Sequence, residues 1–248
     1  MNDPLSIFAV FLAGLASSVV GTMVGGGGLL SIPVLIFLGV PPQVAIATDR
    51  FAGLGAATTA LYRYAGAGKV VWRHVPILCL LSVIGALIGS TILIRVDPEI
   101  LKPAIPFLLV ALLPVLFLKR DVGVAAHEVT QRQLILGFLL YFLVQTLSGF
   151  FHAGMGSVIF FILMAFVGMT VVEAAASQML PFIVLATASS LLFAWNGLID
   201  FRVGLVLMAG ATVGGYLGPR FALRHGERWV RRLFVVMVIA SAALLLLR

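Results

Sequence analysis

Residues 24–39 read VGGGGLLSIPVLIFLG, and this stretch decides how the chain is interpreted. Four consecutive glycines carry a high backbone entropy and interrupt a helix. The apolar segment that follows, 28–40, has 13 residues, which at about 1.5 Å each reach only about 20 Å. Because the hydrocarbon core of a bilayer is about 30 Å thick, this helix is too short to span it. The glycine run is therefore predicted to place a helix N-terminus inside a membrane.

The start of this short helix is a candidate anion site. The N–H groups at a helix N-terminus and the positive end of the helix dipole favour an anion. The alternative is that the glycines only allow two helices to pack closely. A second, similar cluster later in the chain favours the binding site, because such paired interruptions are typical of transporters. The candidate binding residues of the two clusters are Gly25, Gly26, Gly27, Gly28, Gly154, Gly156 and Ser157.

The composition of the whole chain is that of a membrane protein. Of 248 residues, 62% are hydrophobic and 10% are charged, and the mean hydropathy is +1.18. A soluble domain is usually about 45–50% apolar and about 25% charged, so a soluble enzyme or nucleic-acid-binding protein is nearly excluded. The net charge of +7 is explained by basic residues that stay in cytoplasmic loops. Cys79, the single cysteine, excludes an intrachain disulfide and disfavours a cysteine metal site.

Ten apolar segments predict an all-α, polytopic integral membrane protein with eight to ten membrane segments. Eight of them are close to the roughly 20 residues that a spanning helix needs, whereas the second and the seventh are short. The segments are 4–23, 28–40, 44–64, 75–94, 100–118, 134–152, 157–169, 173–195, 203–222 and 229–247.

The two halves of the chain match at a constant offset of 129 residues, without a gap. We therefore predict a first transmembrane repeat at 1–119, a polar cytoplasmic linker at 120–133 and a second transmembrane repeat at 134–248. Together they would form one membrane domain, with one short, broken helix in each repeat. The matched pairs include Gly25 with Gly154, Gly27 with Gly156, Gly39 with Gly168, Thr48 with Ser177, Gly85 with Gly214 and Arg95 with Arg224.

The distribution of lysine and arginine predicts that the second repeat is inverted relative to the first. If all ten segments cross the membrane, and Arg50 is left out because it lies within a span, 11 basic residues fall on one side and 4 on the other. If the short segments turn back instead, the split is 8 against 7, which is no bias. Because basic loops stay in the cytoplasm, we expect all segments to cross. Both termini are then outside, and the loops 65–74, 119–133 and 220–232 are in the cytoplasm.

A group of polar residues near the start of the third segment is a second candidate site. Asp49 and Arg50 lie in an apolar stretch, where charges are costly and indicate function. Arg50 would bind an anion with two hydrogen bonds, and Asp49 would be its counter-ion or a proton carrier. The alternative is a pair at the membrane surface, to which arginine can extend. Thr48 precedes the pair, and the residues at the matching positions, Ser177 and Gln178, are polar but neutral, so the site is expected to be asymmetric.

His152 is the third candidate, because it precedes the second glycine cluster by two residues. A protonated His152 would hold an anion or relay a proton, whereas a lone histidine in a span often only hydrogen-bonds a neighbouring helix. None of the four histidines belongs to a spaced metal-binding or nucleophile motif. We therefore predict no metal, no cofactor and no catalytic residue, and the chain is not expected to be an enzyme.

The glycine motif resembles that of the TauE/SafE (TSUP) family of membrane transporters. The likeness spans essentially the whole chain as two repeats, and it implies a multi-pass protein of the bacterial inner membrane. The second copy departs from the family pattern, because Met155, Ser157 and Ile162 stand where a glycine cluster and a proline are common. The residues that carry the resemblance are Gly25 to Gly28, Pro33, Gly39 and Ala45-Ile-Ala-Thr-Asp49.

The resemblance implies a secondary transporter, an exporter or permease, for a small anion such as sulfite, thiosulfate or an organosulfonate. A channel-like anion pore and a transporter of a small carboxylate are the alternatives. A membrane enzyme acting on lipid is a third class, but it would need clustered acidic residues or histidines at one bilayer face. The expected partners are the anionic substrate, the lipid bilayer and a second copy of the chain in a homodimer, but no nucleic acid.

Overall fold

A computed structural model describes residues 3–96, 123–226, 228–230 and 232, and the regular structure in this part of the chain is entirely α-helical. The helices are α1 (Pro4–Val24), α2 (Gly28–Phe37), α3 (Pro42–Gly66), α4 (Val75–Arg95), α5 (Gln131–Phe150), α6 (Met155–Val167), α7 (Val171–Trp195) and α8 (Phe201–His225).

Five of the described helices, α1, α4, α5, α7 and α8, are long and apolar enough to cross a membrane. The second and seventh predicted segments form α2 and α6, which have only 10 and 13 residues. The prediction of an all-α integral membrane protein is confirmed. The predicted segment 100–118, most of 229–247 and the first residues of the linker lie outside the described residues.

The N-termini of α5 and α7 are set by the same local arrangement. Thr130 accepts a hydrogen bond from the backbone N–H of Gln133, whose side chain accepts one from the N–H of Thr130. Thr170 and Glu173 form the same capping box at the start of α7, with the Thr170 N–H 2.9 Å from Glu173 Oε2. Each box satisfies two backbone donors that a helix start leaves unpaired. Glu173 therefore has a structural role.

α1 packs most extensively against α8, through small residues. A Cβ atom on Gly14 or Gly210 would overlap a carbonyl oxygen of the facing helix, so the two backbones touch. Gly210 faces Phe11 and Gly218 faces Thr22, which shows that α1 and α8 run in the same direction. Close approach through small residues is common where membrane helices associate.

α3 runs in the same direction as α8, whereas α4 and α5 run in the opposite one. Gly204 of α8 faces Phe51 of α3, and Gly215 faces Ala56 further along both helices. The start of α3 is bonded to the end of α4, and α4 and α5 are bonded to each other in parallel register. The hydrogen bonds that establish these two directions are Gln43 Nε2 to the Val96 carbonyl (2.8 Å), Ser82 Oγ to the Tyr141 hydroxyl (2.9 Å) and Ser90 Oγ to the Gly149 carbonyl (3.3 Å).

The ends of α3 and α7 are paired in opposite order. The N–H of Val71, after α3, donates to Ser177 near the start of α7 at 2.9 Å. The N–H of Asp200, after α7, donates to Thr48 near the start of α3 at 3.1 Å. Corresponding helices of the two predicted repeats thus run in opposite directions, which is the arrangement that an inverted repeat requires. The duplication itself and the placement of the loops on the two sides of a membrane stay predictions.

Two single cysteines test the predicted orientation. In a Cys79→Ser background, Ala67→Cys lies after α3 and Asn196→Cys lies after α7, at opposite ends of the bundle, and both positions are exposed. An impermeant thiol reagent added to intact cells should label Asn196→Cys, whereas Ala67→Cys should react only after permeabilisation. Labelling of both positions from the same side would contradict the orientation.

Candidate functional site

A cavity of about 120 Å³ lies where the two helix interruptions meet, and all described helices except α4 contribute to its wall. For comparison, a cavity of about 150 Å³ in another protein holds benzene. The space therefore suits a ligand of a few heavy atoms. The candidate residues from the sequence that line it are Gly25, Gly27, Gly28, Asp49, His152, Gly156 and Gln178.

The two interruptions are in backbone contact with each other. α1 ends at Gly25, whose φ of +81° lies in the left-handed region that favours glycine. A Cβ atom on Gly25 would overlap the backbone of Gly156 from the other half of the chain. Ser157 Oγ also donates to the carbonyl oxygen of Val24 at 2.7 Å, and so satisfies one backbone acceptor near the end of α1. Glycine is therefore needed here both for the turn and for packing.

The first turns of the two short helices are tightened by backbone hydrogen bonds. The N–H of Leu29 donates to the Gly26 carbonyl at 3.2 Å, and the N–H of Ser157 donates to the Gly154 carbonyl at 3.1 Å. Such short-range bonds use donors that a helix start otherwise leaves open. Fewer N–H groups are thus free for an anion than the sequence suggests, although both helices begin beside the cavity. Gly26 and Gly154 do not line it.

Asp49 and His152 form a close pair in the cavity wall. Asp49 Oδ2 lies 2.7 Å from His152 Nε2, across 103 positions of sequence. The two side chains are 11% and 8% exposed, so they are almost entirely removed from bulk solvent. His152 Nδ1 is buried and has no partner among the described residues. One nitrogen of the ring is thus held by a carboxylate, and the other is available for a proton or a ligand.

Arg50 lies behind the cavity wall and is completely buried. Its Nη2 donates to the carbonyl oxygen of Ser148, and its guanidinium carbon lies 5.8 Å from the ring centre of Phe182. Ser148 and Phe182 both line the cavity, whereas Arg50 itself does not. Nε and Nη1 have no hydrogen-bond partner in the described part of the chain. A buried guanidinium does not fit the alternative of an arginine that extends to the membrane surface.

Three further candidates are placed outside the cavity lining. The Thr48 hydroxyl accepts the N–H of Asp200, and the Ser177 hydroxyl accepts the N–H of Val71. Both bonds attach a helix to the loop of the opposite half. With Ser157, which donates to Val24, these hydroxyls hold the two halves together.

Several polar residues of the cavity were not predicted from the sequence. Ser31 is in the first turn of α2, and its buried hydroxyl has no partner among the described residues. The unpredicted residues are Ser17, Ser18, Thr22, Ser31 and Ser148. A sequence signal exists only for the three in α1, where serines and a threonine recur on one face of an apolar helix.

Gln178 lines the cavity and belongs to a buried polar cluster behind it. Its Oε1 accepts the hydroxyl proton of Tyr141 at 2.7 Å. Tyr141 also contacts Ser82 and Gln145, and both tyrosine and glutamine are fully buried. A lone tyrosine and a lone glutamine in an apolar helix carry no motif, so this cluster was missed.

Comparisons with known proteins match nearly the whole chain. The family described as sulfite exporter TauE/SafE matches residues 10–245. A "probable membrane transporter protein" of Haemophilus influenzae is 27% identical over 98% of the chain and 96% of its own length. One from Xylella fastidiosa is 30% identical over 95% of the chain and 93% of its length. The "probable membrane transporter protein ORF9" of a Sinorhizobium species is 28% identical, over 96% of the chain and 91% of its length. No solved structure gives a significant match.

Neighbouring glycines provide a matched test of the helix interruption. Gly25→Ala should lower the folded yield strongly, because its φ is positive and the new Cβ would overlap the backbone of Gly156. Gly26→Ala should fold normally, since its Cβ would meet only the Leu29 side chain at 3.6 Å. Size-exclusion chromatography and thermal unfolding in detergent measure both. Equal behaviour of the two variants would contradict the described contact.

Proposed function

The chain belongs to the TauE/SafE family of membrane transporters, and from this premise we propose that it is a secondary transporter for a small anion such as sulfite, thiosulfate or an organosulfonate. The observation that carries the proposal is the cavity between the two helix interruptions, whose wall holds the Asp49–His152 pair with Arg50 behind it. The proposal includes a location in the bacterial inner membrane and the absence of a catalysed reaction.

The charges around the cavity favour binding of an anion together with a proton. Asp49 and Arg50 carry opposite charges, so they cancel when His152 is neutral. Inside a membrane protein, charge interactions are much stronger than in water, and an added anion would be repelled by Asp49. One proton taken up by the Asp49–His152 pair gives the site a net charge of +1, which neutralises a monoanion such as a sulfonate and offsets half the charge of thiosulfate. The proposed transport is therefore coupled to protons.

The polar groups near the cavity suit an anion that bears oxygen atoms. The Ser31 hydroxyl lacks a partner among the described residues and would donate to such an oxygen. Nε and Nη1 of Arg50 have no partner among the described residues, and they belong to the guanidinium that bonds Ser148 in the cavity wall. Buried polar groups without partners are costly, and a bound ligand would offset that cost. None of these groups selects sulfur over carbon, so a small carboxylate is the second candidate substrate.

A ligand screen of the purified protein tests the proposal. Sulfite, thiosulfate, methanesulfonate or acetate should raise the melting temperature, because a ligand that binds only the folded state stabilises it. In proteoliposomes, uptake of that anion should saturate with concentration and respond to a pH gradient. Linear, non-saturating flux would support the channel-like pore instead. If none of these anions raises the melting temperature and none is taken up by the proteoliposomes, the proposed function is overturned.

Substitution of Arg50 tests the role of its charge. Arg50→Gln should lower the affinity of the anion found in the screen at least about tenfold, since a charge-assisted interaction is worth about 1.5–3 kcal/mol. Arg50→Lys should have a smaller effect, because it keeps the charge but loses the planar group. Arg63→Gln in the same helix is the matched control: Arg63 contacts Tyr216, which does not line the cavity, whereas Arg50 contacts Ser148 and Phe182, which do. Unchanged affinity in Arg50→Gln would exclude Arg50 from the site.

Separate substitutions of the pair test proton coupling. Asp49→Asn and His152→Gln should lose uptake driven by a pH gradient, because neither retains the complete proton-binding pair. Exchange of labelled for unlabelled anion at constant pH should persist in at least one of them. Both activities are measured in the same proteoliposomes. If uptake by both variants still responds to the pH gradient, proton coupling through Asp49 and His152 is contradicted.

A further inference from the structure

The buried cluster behind Gln178 has a defined hydrogen-bond order. Gln145 Nε2 lies 2.6 Å from both Ser82 Oγ and the Tyr141 hydroxyl, and it donates to both. Ser82 Oγ lies 2.9 Å from the same tyrosine oxygen. An oxygen of this type accepts two hydrogen bonds and donates one. Either hydroxyl can be the donor between Ser82 and Tyr141. With Ser82 as that donor, Tyr141 accepts two hydrogen bonds and directs its own proton to Gln178 Oε1 at 2.7 Å.

The opposite orientation of the Gln145 amide, with its oxygen towards Ser82 and Tyr141, is less favourable. Turning the Gln145 amide would bury two N–H groups without acceptors, whereas the observed order leaves only Gln145 Oε1 without a donor among the described residues. Unpaired buried donors are the rarer and costlier defect in proteins. The Tyr141 proton therefore fixes which end of the Gln178 amide faces the cluster. The other end, Nε2, has no partner in the described part of the chain and belongs to a side chain that lines the cavity.

We infer that Tyr141 is a positioning residue that holds the Gln178 amide with its NH₂ group available to the cavity, so that Gln178 donates hydrogen bonds to an unprotonated oxygen of the anion. The inference rests on the proposed function and makes it narrower. A ligand that presents an ionised oxygen at this point is favoured over one that presents a hydroxyl, because a hydrogen bond to an ionised acceptor is stronger than one to a neutral oxygen.

The position of Gln178 relative to Asp49 supports this role. The two residues are 129 positions apart, so they occupy matching places in the predicted repeats, and both line the cavity. Asp49 is held by His152, and Gln178 is held by Tyr141. A carboxylate and amide donors in the same cavity wall provide the asymmetry that would orient a small anion.

A double-mutant cycle tests the inference. The probe is thiosulfate, titrated calorimetrically into the purified full-length protein, with methanesulfonate and acetate as further probes. Tyr141→Phe should lower the affinity roughly threefold to tenfold, the range expected for one net hydrogen bond. Gln178→Met, which has no donor, should lower it by a similar factor. In the Gln178→Met background, Tyr141→Phe should change affinity by less than about twofold, because the two residues act as one unit.

A matched control separates positioning from folding. Ser90→Ala removes another fully buried hydroxyl, which donates to Ser189 Oγ at 2.8 Å; neither serine lines the cavity, so the variant should lower the melting temperature with the affinity unchanged. If Tyr141→Phe has no effect on affinity, or lowers it by the same factor in both backgrounds, the inference is overturned while the proposed function stands. A wild-type protein that binds none of the three anions overturns both.

Discussion

Two helices can be interrupted inside an apolar bundle here because each interruption lies against the other. Backbone groups in a membrane have no water to bond, so a break is tolerated only where the protein satisfies it. Gly25 touches the backbone of Gly156, and Ser157 caps the carbonyl of Val24. The shortness of α2 and α6, the need for glycine and the position of the cavity all follow from this one contact.

The two halves contribute unequally to the candidate site. The first half supplies both charged side chains, Asp49 and Arg50, whereas the second supplies the groups that hold them or complete the wall. His152 bonds Asp49, and the Ser148 carbonyl bonds Arg50. The second half thus supplies groups that position the charged pair of the first half. A symmetric cavity with two charged pairs would place like charges close together in a low dielectric, which is unfavourable.

Much of the fold was visible in the sequence, because glycine runs and segment lengths act locally. The short helices and the unusual cost of Asp49 in an apolar stretch required no tertiary information. Spacing does not say which way a side chain faces, and so Thr48 and Ser177 were grouped with the cavity although they bond loops. Tyr141 and Ser31 were not predicted, because a single hydroxyl in an apolar helix forms no recognisable sequence pattern. Their roles depend on contacts between distant segments.

The extensive packing of α1 against α8 has a consequence for how the protein is made. Residues 4–24 are synthesised well before their main partner, residues 201–225. During synthesis the glycine face of α1 therefore remains in lipid without its partner. Contacts between such distant segments slow folding. Docking of α1 therefore waits for α8, and a chain truncated before α8 would leave the first helix without its main partner.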